Sequence, residues 1–205
     1  EGVMLNTDFQ RFAVRANVDA NISSKFKAGV NLAPTLTYLK GGVRGQGRDE
    51  GFDISSPIPA AYNADGSYNP YIQSPGSFGV PNPAMVLNET KNSTDKMKVL
   101  MSSYLEYSFL PNLKFKTTFN VDYEDASNEY FRPSILGNQN APAPSVPSGS
   151  YNRGQYINWL NENTLNYDWS KNGHTLGALV GYSVQSQKNK NAGFSGTQYP
   201  DDDIE

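Results

Sequence analysis

The sequence has no cysteine and a single histidine, His174. Disulfide frameworks, thiolate zinc sites and multi-histidine metal centres are therefore excluded within it. It has no excess of base: 17 Lys and Arg stand against 20 Asp and Glu. A nucleic-acid binder would carry a basic surplus, so no nucleic-acid partner is expected. No run approaches the roughly 18 consecutive apolar residues of a transmembrane helix. No segment keeps a 3.6-residue period, so no helix is expected. The opening Glu1-Gly2-Val3-Met4-Leu5 lacks the basic start and apolar core of a signal peptide. The chain is thus expected to begin within a longer protein.

What is present is turn chemistry and aromatic residues. There are 22 Asn, 20 Ser, 18 Gly and 13 Pro, with 13 Tyr and 10 Phe. That mixture points to many strands and long loops. Ten of the 13 prolines fall in two stretches, 40–97 and 128–154. Proline cannot donate to a strand ladder, so these two stretches read as loops. Between them lie segments of alternating polarity. They predict six strands, at about 10–20, 25–39, 98–110, 113–125, 155–169 and 175–187. Tight turns join them in pairs at Asn21-Ile22-Ser23-Ser24, at Pro111-Asn112 and at Ser170-Lys171-Asn172-Gly173. The Asn-Gly pair in the last is a strong hairpin signal.

Five of the six strands have two distinct faces. On one face, 26 positions including Phe12, Val18, Val30, Leu105, Phe115 and Val180 carry no charge. On the alternate face, 11 of 26 positions are charged, among them Arg11, Asp19, Lys27, Lys116 and Asp122. The fifth strand fits less well, because Asn161 and Asn163 interrupt its apolar phase; a bulge or a water-exposed upper half would account for them. Two environments make such a contrast. A soluble sandwich turns the apolar face to a dry core. A membrane barrel turns it to lipid and the polar face to a wet lumen. The barrel is favoured by three features. The strands are long against a usual 5–6 residues. Long and short connections alternate. Aromatic residues gather beside the short turns on the apolar face: Phe26, Tyr107, Phe109, Phe115, Tyr167 and Trp169.

Several segments carry a family resemblance. Arg11–Asp19 followed by Lys25–Asn31 resembles the early barrel hairpin of SusC/RagA-type TonB-linked outer-membrane transporters. Pro57–Tyr68, with Tyr62, Asp65, Gly66 and Tyr68, looks like a recurrent loop element of that family. Tyr104–Lys116, Glu162–Tyr167 and His174–Ser183 follow in the family's order. The resemblance implies an all-β, antiparallel up-and-down fold with long extracellular loops. It makes residues 1–205 a partial barrel domain of about six strands out of 22. It also implies import of a glycan or peptide across the outer membrane of Bacteroidota, with a SusD-like surface lipoprotein as partner. Energy would come from the TonB complex through segments that are not in this sequence.

Little else in the sequence carries chemistry. The aromatic and polar loop residues Tyr62, Asp65, Tyr68 and Tyr71 are the candidate ligand or partner contacts. Asp201-Asp202-Asp203-Ile204-Glu205 has the oxygen ligands a calcium ion takes, but a solvated acidic loop explains it as well. Asp122, Glu124 and Asp125 read as lumen-facing polar residues rather than a glycosidase pair. His174 reads as a turn residue. No catalytic, metal or cofactor residue is assigned, and an enzyme is not expected. The alternative to a transporter is a soluble or surface-attached all-β carbohydrate-binding or adhesion module.

Overall fold

The computed structural model describes residues 6–41, 60–69, 82–137 and 143–202. In chain order the elements are β1 (Asp8–Ala13), β2 (Ala16–Asn21), β3 (Phe26–Lys40), α1 (Pro83–Glu89), β4 (Lys91–Leu110), β5 (Leu113–Arg132), β6 (Ser148–Lys171) and β7 (His174–Thr197). All strands join one antiparallel sheet, ordered β1-β3-β4-β5-β6-β7, with β2 also beside β3. β1 and β2 keep a single register along β3, from Asp8 opposite Lys40 to Asn21 opposite Lys27. The break between them lies at Val14-Arg15, where Val14 faces Pro34. Proline has no N–H to donate there. The reciprocal bond survives, Val14 N–H donating to the Pro34 carbonyl at 3.1 Å. The sheet is therefore six strands wide.

The short turns fall where the sequence places them. β6 and β7 are joined by Asn172 and Gly173 alone, with φ of 52° and 79°. Two successive left-handed residues are what a type I′ hairpin turn requires. His174 pairs with Lys171 across that turn.

The strands run beyond their expected ends. β4 starts at Lys91, β5 continues to Arg132 and β6 begins at Ser148. The second loop narrows accordingly to residues 133–147, well inside the stretch 128–154. The extensions are polar, so alternation gives no signal there. Backbone pairing with the neighbouring strand holds them in the ladder. The first loop holds a helix, α1, which the sequence reading did not expect. Asn82 caps it, accepting from Ala84 N–H at 3.0 Å, and Pro83 occupies its first turn.

Among the described residues, no second sheet covers either face. Phe12, Val14 and Val30 are 59%, 67% and 45% exposed. A sandwich with those residues in a shared dry core is excluded. Among the described residues, the buried hydrophobics are Met85, Val86, Leu87, Phe131 and Leu136. Met85, Val86 and Leu136 form one small cluster under the loops, with Tyr68 packed against it.

The apolar face is a band of finite height. Going away from the short turns, it becomes polar between Tyr38 and Lys40 on β3 and between Met97 and Asp95 on β4. On β5 the change falls between Tyr123 and Asp125, on β6 between Ile157 and Gln155, and on β7 between Val184 and Ser186. These levels are not in register. Val184 aligns through Asn161, Phe119 and Ser103 with Val30, eight residues short of Tyr38. The lower edge slides the same way. Trp169, the last apolar residue of β6, lies four residues beyond Leu165, which aligns with Phe26. A level slab crossing strands tilted by about 40° gives a slide of about one residue per strand, from 4.8 Å spacing and 3.4 Å rise. Both edges thus slide in one direction across the sheet, as a bilayer imposes on the tilted strands of a barrel wall.

The two asparagines of the fifth strand sit inside this band. β6 keeps unbroken register with both neighbours, so no bulge excuses them. Their amides are bonded locally instead. Asn161 Nδ2 donates to Thr118 O at 2.8 Å and to Thr117 Oγ1 at 3.2 Å, and Asn163 Nδ2 donates to Asn161 Oδ1 at 2.7 Å. Pairing these groups lowers the cost of holding them among apolar neighbours.

Candidate functional site

The face opposite the apolar band is a polar wall. On β4 and β5 it carries Lys96 bound to Glu124 at 2.7 Å and Lys98 3.3 Å from Asp122. Ser102 donates to Asn120 at 2.6 Å, and Thr118 to Glu162 of β6 at 3.4 Å. Tyr104 lies across Gly29 of β3 and donates its hydroxyl to Asp19 of β2 at 2.8 Å. A Cβ at position 29 would strike that ring, so glycine is what admits the crossing. Lys116 sits 5.0 Å from the centre of the same ring. These groups form a charged, hydrogen-bonded surface of the kind a water-filled lumen tolerates. Asp122 and Glu124 belong to it. Asp125 does not: it points to the apolar side, above the band, where Arg153 holds it through two hydrogen bonds of 2.9 and 2.8 Å. The lumenal placement read for Asp125 is therefore corrected; it lies one residue past Glu124, on the other face of the strand.

Beyond the band, the loops fold on themselves. Residues 60–69 make a miniature hairpin. Tyr62 and Tyr68 bridge, their rings stacked with centroids 5.3 Å apart. Asp65 closes the turn, accepting from Ser67 N–H at 3.0 Å and Ser67 Oγ at 2.6 Å, and Gly66 takes φ of 85°. The Ser67 hydroxyl, then its N–H, hold the Asp65 carboxyl below its ordinary range. Asn82 staples this hairpin to α1. It is fully buried, and its Nδ2 donates to Ala61 O at 2.6 Å and Asn69 O at 2.9 Å while its Oδ1 caps the helix. Asn6 reaches Leu87 O from the start of the described chain at 3.1 Å.

The sequence candidates separate accordingly. Tyr62, Asp65 and Tyr68 are brought together on one hairpin. Tyr68, half-buried, packs against Met85, Val86 and Leu136. Burial pushes its hydroxyl pKa up, and the nearby Glu89 adds to that. Asp65 is engaged by Ser67. Tyr62, at 47% exposed, and Asp65 both present open surface, whereas Tyr68 is half-buried. Tyr71 lies outside the described residues. The sequence reading missed Asn82, although Asn-Pro before Ala-Met-Val-Leu is a helix-start signal.

The acidic tail is partly committed. Asp202 accepts from Ser134 N–H at 2.7 Å and from Ser134 Oγ at 2.6 Å, latching the segment after β7 to the loop after β5. Burial acts to raise its pKa, but the bonds from Ser134 and Ile135 outweigh it and bring it below 3.8. A carboxyl lowered on folding stabilises above its unfolded pKa and loses that effect as pH falls through its folded pKa. The Ser134 amide is expected to stay protected from neutral pH down to the ordinary aspartate range and to open only below it. Hydrogen exchange at Ser134, corrected for intrinsic rate, measures this; loss of protection already near pH 6 would refute it.

A tilted antiparallel wall with a level apolar band, a polar reverse face, tight turns at one end and folded loops at the other defines a segment of a transmembrane β-barrel. Relatives in sequence and fold specify which kind. No family model matches the chain. TonB-dependent receptor P3 of Formosa agariphila is 32% identical over 97% of the chain, and TonB-dependent receptor P26 of the same organism is 29% identical over 90%. The chain spans about one fifth of these relatives, 20% and 18% of their lengths. Among solved structures, the RagAB peptide importer in its closed-closed state matches 94% of the chain and 22% of its own, at 17% identity and a TM-score of 0.74. Its open-open state matches at 0.73. The likeness in sequence is thus to TonB-dependent receptors, and the likeness in fold is to the RagAB importer.

Proposed function

We propose that residues 1–205 are part of the barrel wall of a TonB-dependent transporter that takes up a glycan or peptide across the outer membrane of a Bacteroidota cell. The observation that carries this reading is the level apolar band backed by a charged reverse face. A sheet built that way has lipid on one side and a wet passage on the other. The names of the sequence relatives support TonB coupling, and the RagAB importer supports an oligopeptide as one cargo class. The polar wall would line the passage. The folded loops, with Tyr62 and Asp65 exposed on the hairpin, would meet a SusD-like lipoprotein lid or the cargo it delivers. A soluble carbohydrate-binding module is disfavoured by the absence of a covered face on the described sheet.

The test is a deletion of residues 57–81 in the full-length protein, which spares the Asn82 cap. Heat-modifiable mobility on gels is expected to show a folded barrel. Growth on oligosaccharide or oligopeptide as sole nutrient, and co-purification of the lipoprotein, are expected to fall together. Wild-type growth and co-purification with the barrel inserted would remove the loop from this role.

A further inference from the structure

A cavity of about 840 Å³ opens on the outward side of the sheet, above the apolar band. That size is ordinary for a small-molecule site. Its floor is built by β3, β4, β5 and β6, each of which is paired on both sides. In register, Lys40, Ser93, Glu129 and Tyr151 make one row across these strands, and Tyr38 faces Asp95 in the row nearer the band. Tyr38 is the last apolar residue of that face on β3 and Asp95 the first polar one on β4, so the floor starts at the edge of the band. The chain after β7 supplies part of the wall. Gln198 takes a left-handed φ of 62°, and Tyr199 folds back over the paired Gly149 and Gly196. A Cβ at Gly196 would lie 2.6 Å from the Tyr199 hydroxyl, so glycine is what admits the fold-back. The Tyr199 ring meets Phe131 edge-on, with centroids 5.7 Å apart.

The lining selects by chemistry. Tyr38, Tyr151 and Tyr199 offer aromatic surface to C–H groups. Asp95 and Glu129 are exposed, and their carboxylates have no partner among the described residues. Such groups accept hydrogen bonds from hydroxyls. Thr90, in the wall, is 4% exposed, and its hydroxyl has no hydrogen-bond partner among the described residues. Charge in the lining nearly balances, with Asp8, Asp95 and Glu129 against Lys40 and Lys91. A phosphate gains little from that mixture, and an acyl chain would leave the carboxylates desolvated and unpaired. A ligand with many hydroxyls and one apolar face meets both demands. The short turns of a barrel face the periplasm, so this edge of the band is the outer one and the cavity opens on the cell-surface layer. We propose that the cavity binds a neutral saccharide on the outer flank of the barrel, stacked on Tyr151 and hydrogen-bonded to Glu129 and Asp95. That sugar reaches it as the headgroup of an outer-leaflet glycolipid or as a free oligosaccharide. This rests on the barrel reading above and concerns a side of the wall that transported cargo does not pass.

The full-length protein folded into phosphatidylcholine vesicles provides the test. The vesicles carry a panel of neutral di- and trisaccharides coupled to lipid, or sulfated forms of the same sugars, and the free sugars serve as competitors. Lipid-coupled sugar retained on the purified protein is measured by mass spectrometry. Wild type is expected to retain at least one neutral sugar in preference to its sulfated form. Glu129→Gln is expected to hold it about tenfold more weakly, and Glu129→Gln/Tyr151→Ala roughly a hundredfold, from loss of a bond to a charged group and then of a stacked ring. Tyr104→Phe/Glu106→Gln, on the reverse face, is expected to hold it like wild type. Free sugar at equal concentration is expected to displace little, which marks a membrane glycolipid as the source; full competition marks a soluble oligosaccharide and keeps the site. The site is overturned if no neutral sugar is retained above empty vesicles, if sulfated forms are held equally, if both Glu129 variants retain the sugar unchanged, or if the reverse-face variant loses it alike. Heat-modifiable mobility, scored separately, reports whether each barrel has inserted. A failure of the barrel reading is therefore distinguishable from a failure of this site.

Discussion

Val30→Arg is expected to cost about 2–4 kcal/mol of folding into a bilayer, the range for a cation at mid-depth on the lipid face of a barrel. Val30 lies between Val18 and Ser103 in register, in the middle of the apolar band and on its outward side. Arginine there has no lumen to reach and too far to extend to either headgroup layer. Leu105→Arg, next to Ala28 and Thr117 in the same band, should behave alike. On the reverse face, Lys27→Gln is expected to change little. Lys116→Gln is expected to cost at most about 1 kcal/mol, from loss of its exposed contact with the Tyr104 ring. Urea titration of the full-length protein folded into lipid vesicles separates these outcomes. Equal sensitivity on the two faces would invalidate the assignment of lipid and lumen sides.

The second large effect is expected at Asn82. Asn82→Ala removes the helix cap and both bonds to the hairpin carbonyls, and leaves Ala61 O and Asn69 O without that donor. Loss of a cap costs about 1 kcal/mol, and buried groups left unpaired cost about 1–3 kcal/mol more. The loop core is small, with Met85, Val86 and Leu136 as its buried members. A loss of that size should open residues 60–69 and 83–89 while the strands stay protected. Hydrogen exchange resolves the two regions. Unchanged protection in the hairpin, or parallel loss in β4 and β5, would show that Asn82 does not hold the loop as an independent unit. Asn82→Asp keeps the cap acceptor and loses the two donated bonds, so an intermediate effect is expected.

The lipid-side argument also explains what could be read before any fold was known. A strand inside the band must alternate, because each successive residue meets hydrocarbon or water. The pairs around Asn21–Ser24, Pro111-Asn112 and Asn172-Gly173 were therefore legible, as were the charges of the wall from Lys27 to Lys116. Above the band both faces are wet. Lys91–Lys96 and Asn128–Arg132 then have no reason to alternate, and the ends of their strands were invisible. Helix α1 was missed for a related reason: seven residues are too few to show a period, although Asn82-Pro83 marked its start.

By itself, then, the sequence determined the number of membrane-spanning strands, their turns and which face is apolar, because those depend on local polarity and turn chemistry. It determined the family resemblance as well. The tertiary structure alone decided what depends on partners far apart in the chain. Register showed that the band is level across tilted strands, that Asn161 and Asn163 are paired inside it, and that Asp125 leaves the lumen wall to hold Arg153. It packed Tyr68 against Met85, Val86 and Leu136, which come to it from distant segments. Such groupings follow from strand pairing and tilt, which no stretch of sequence contains on its own.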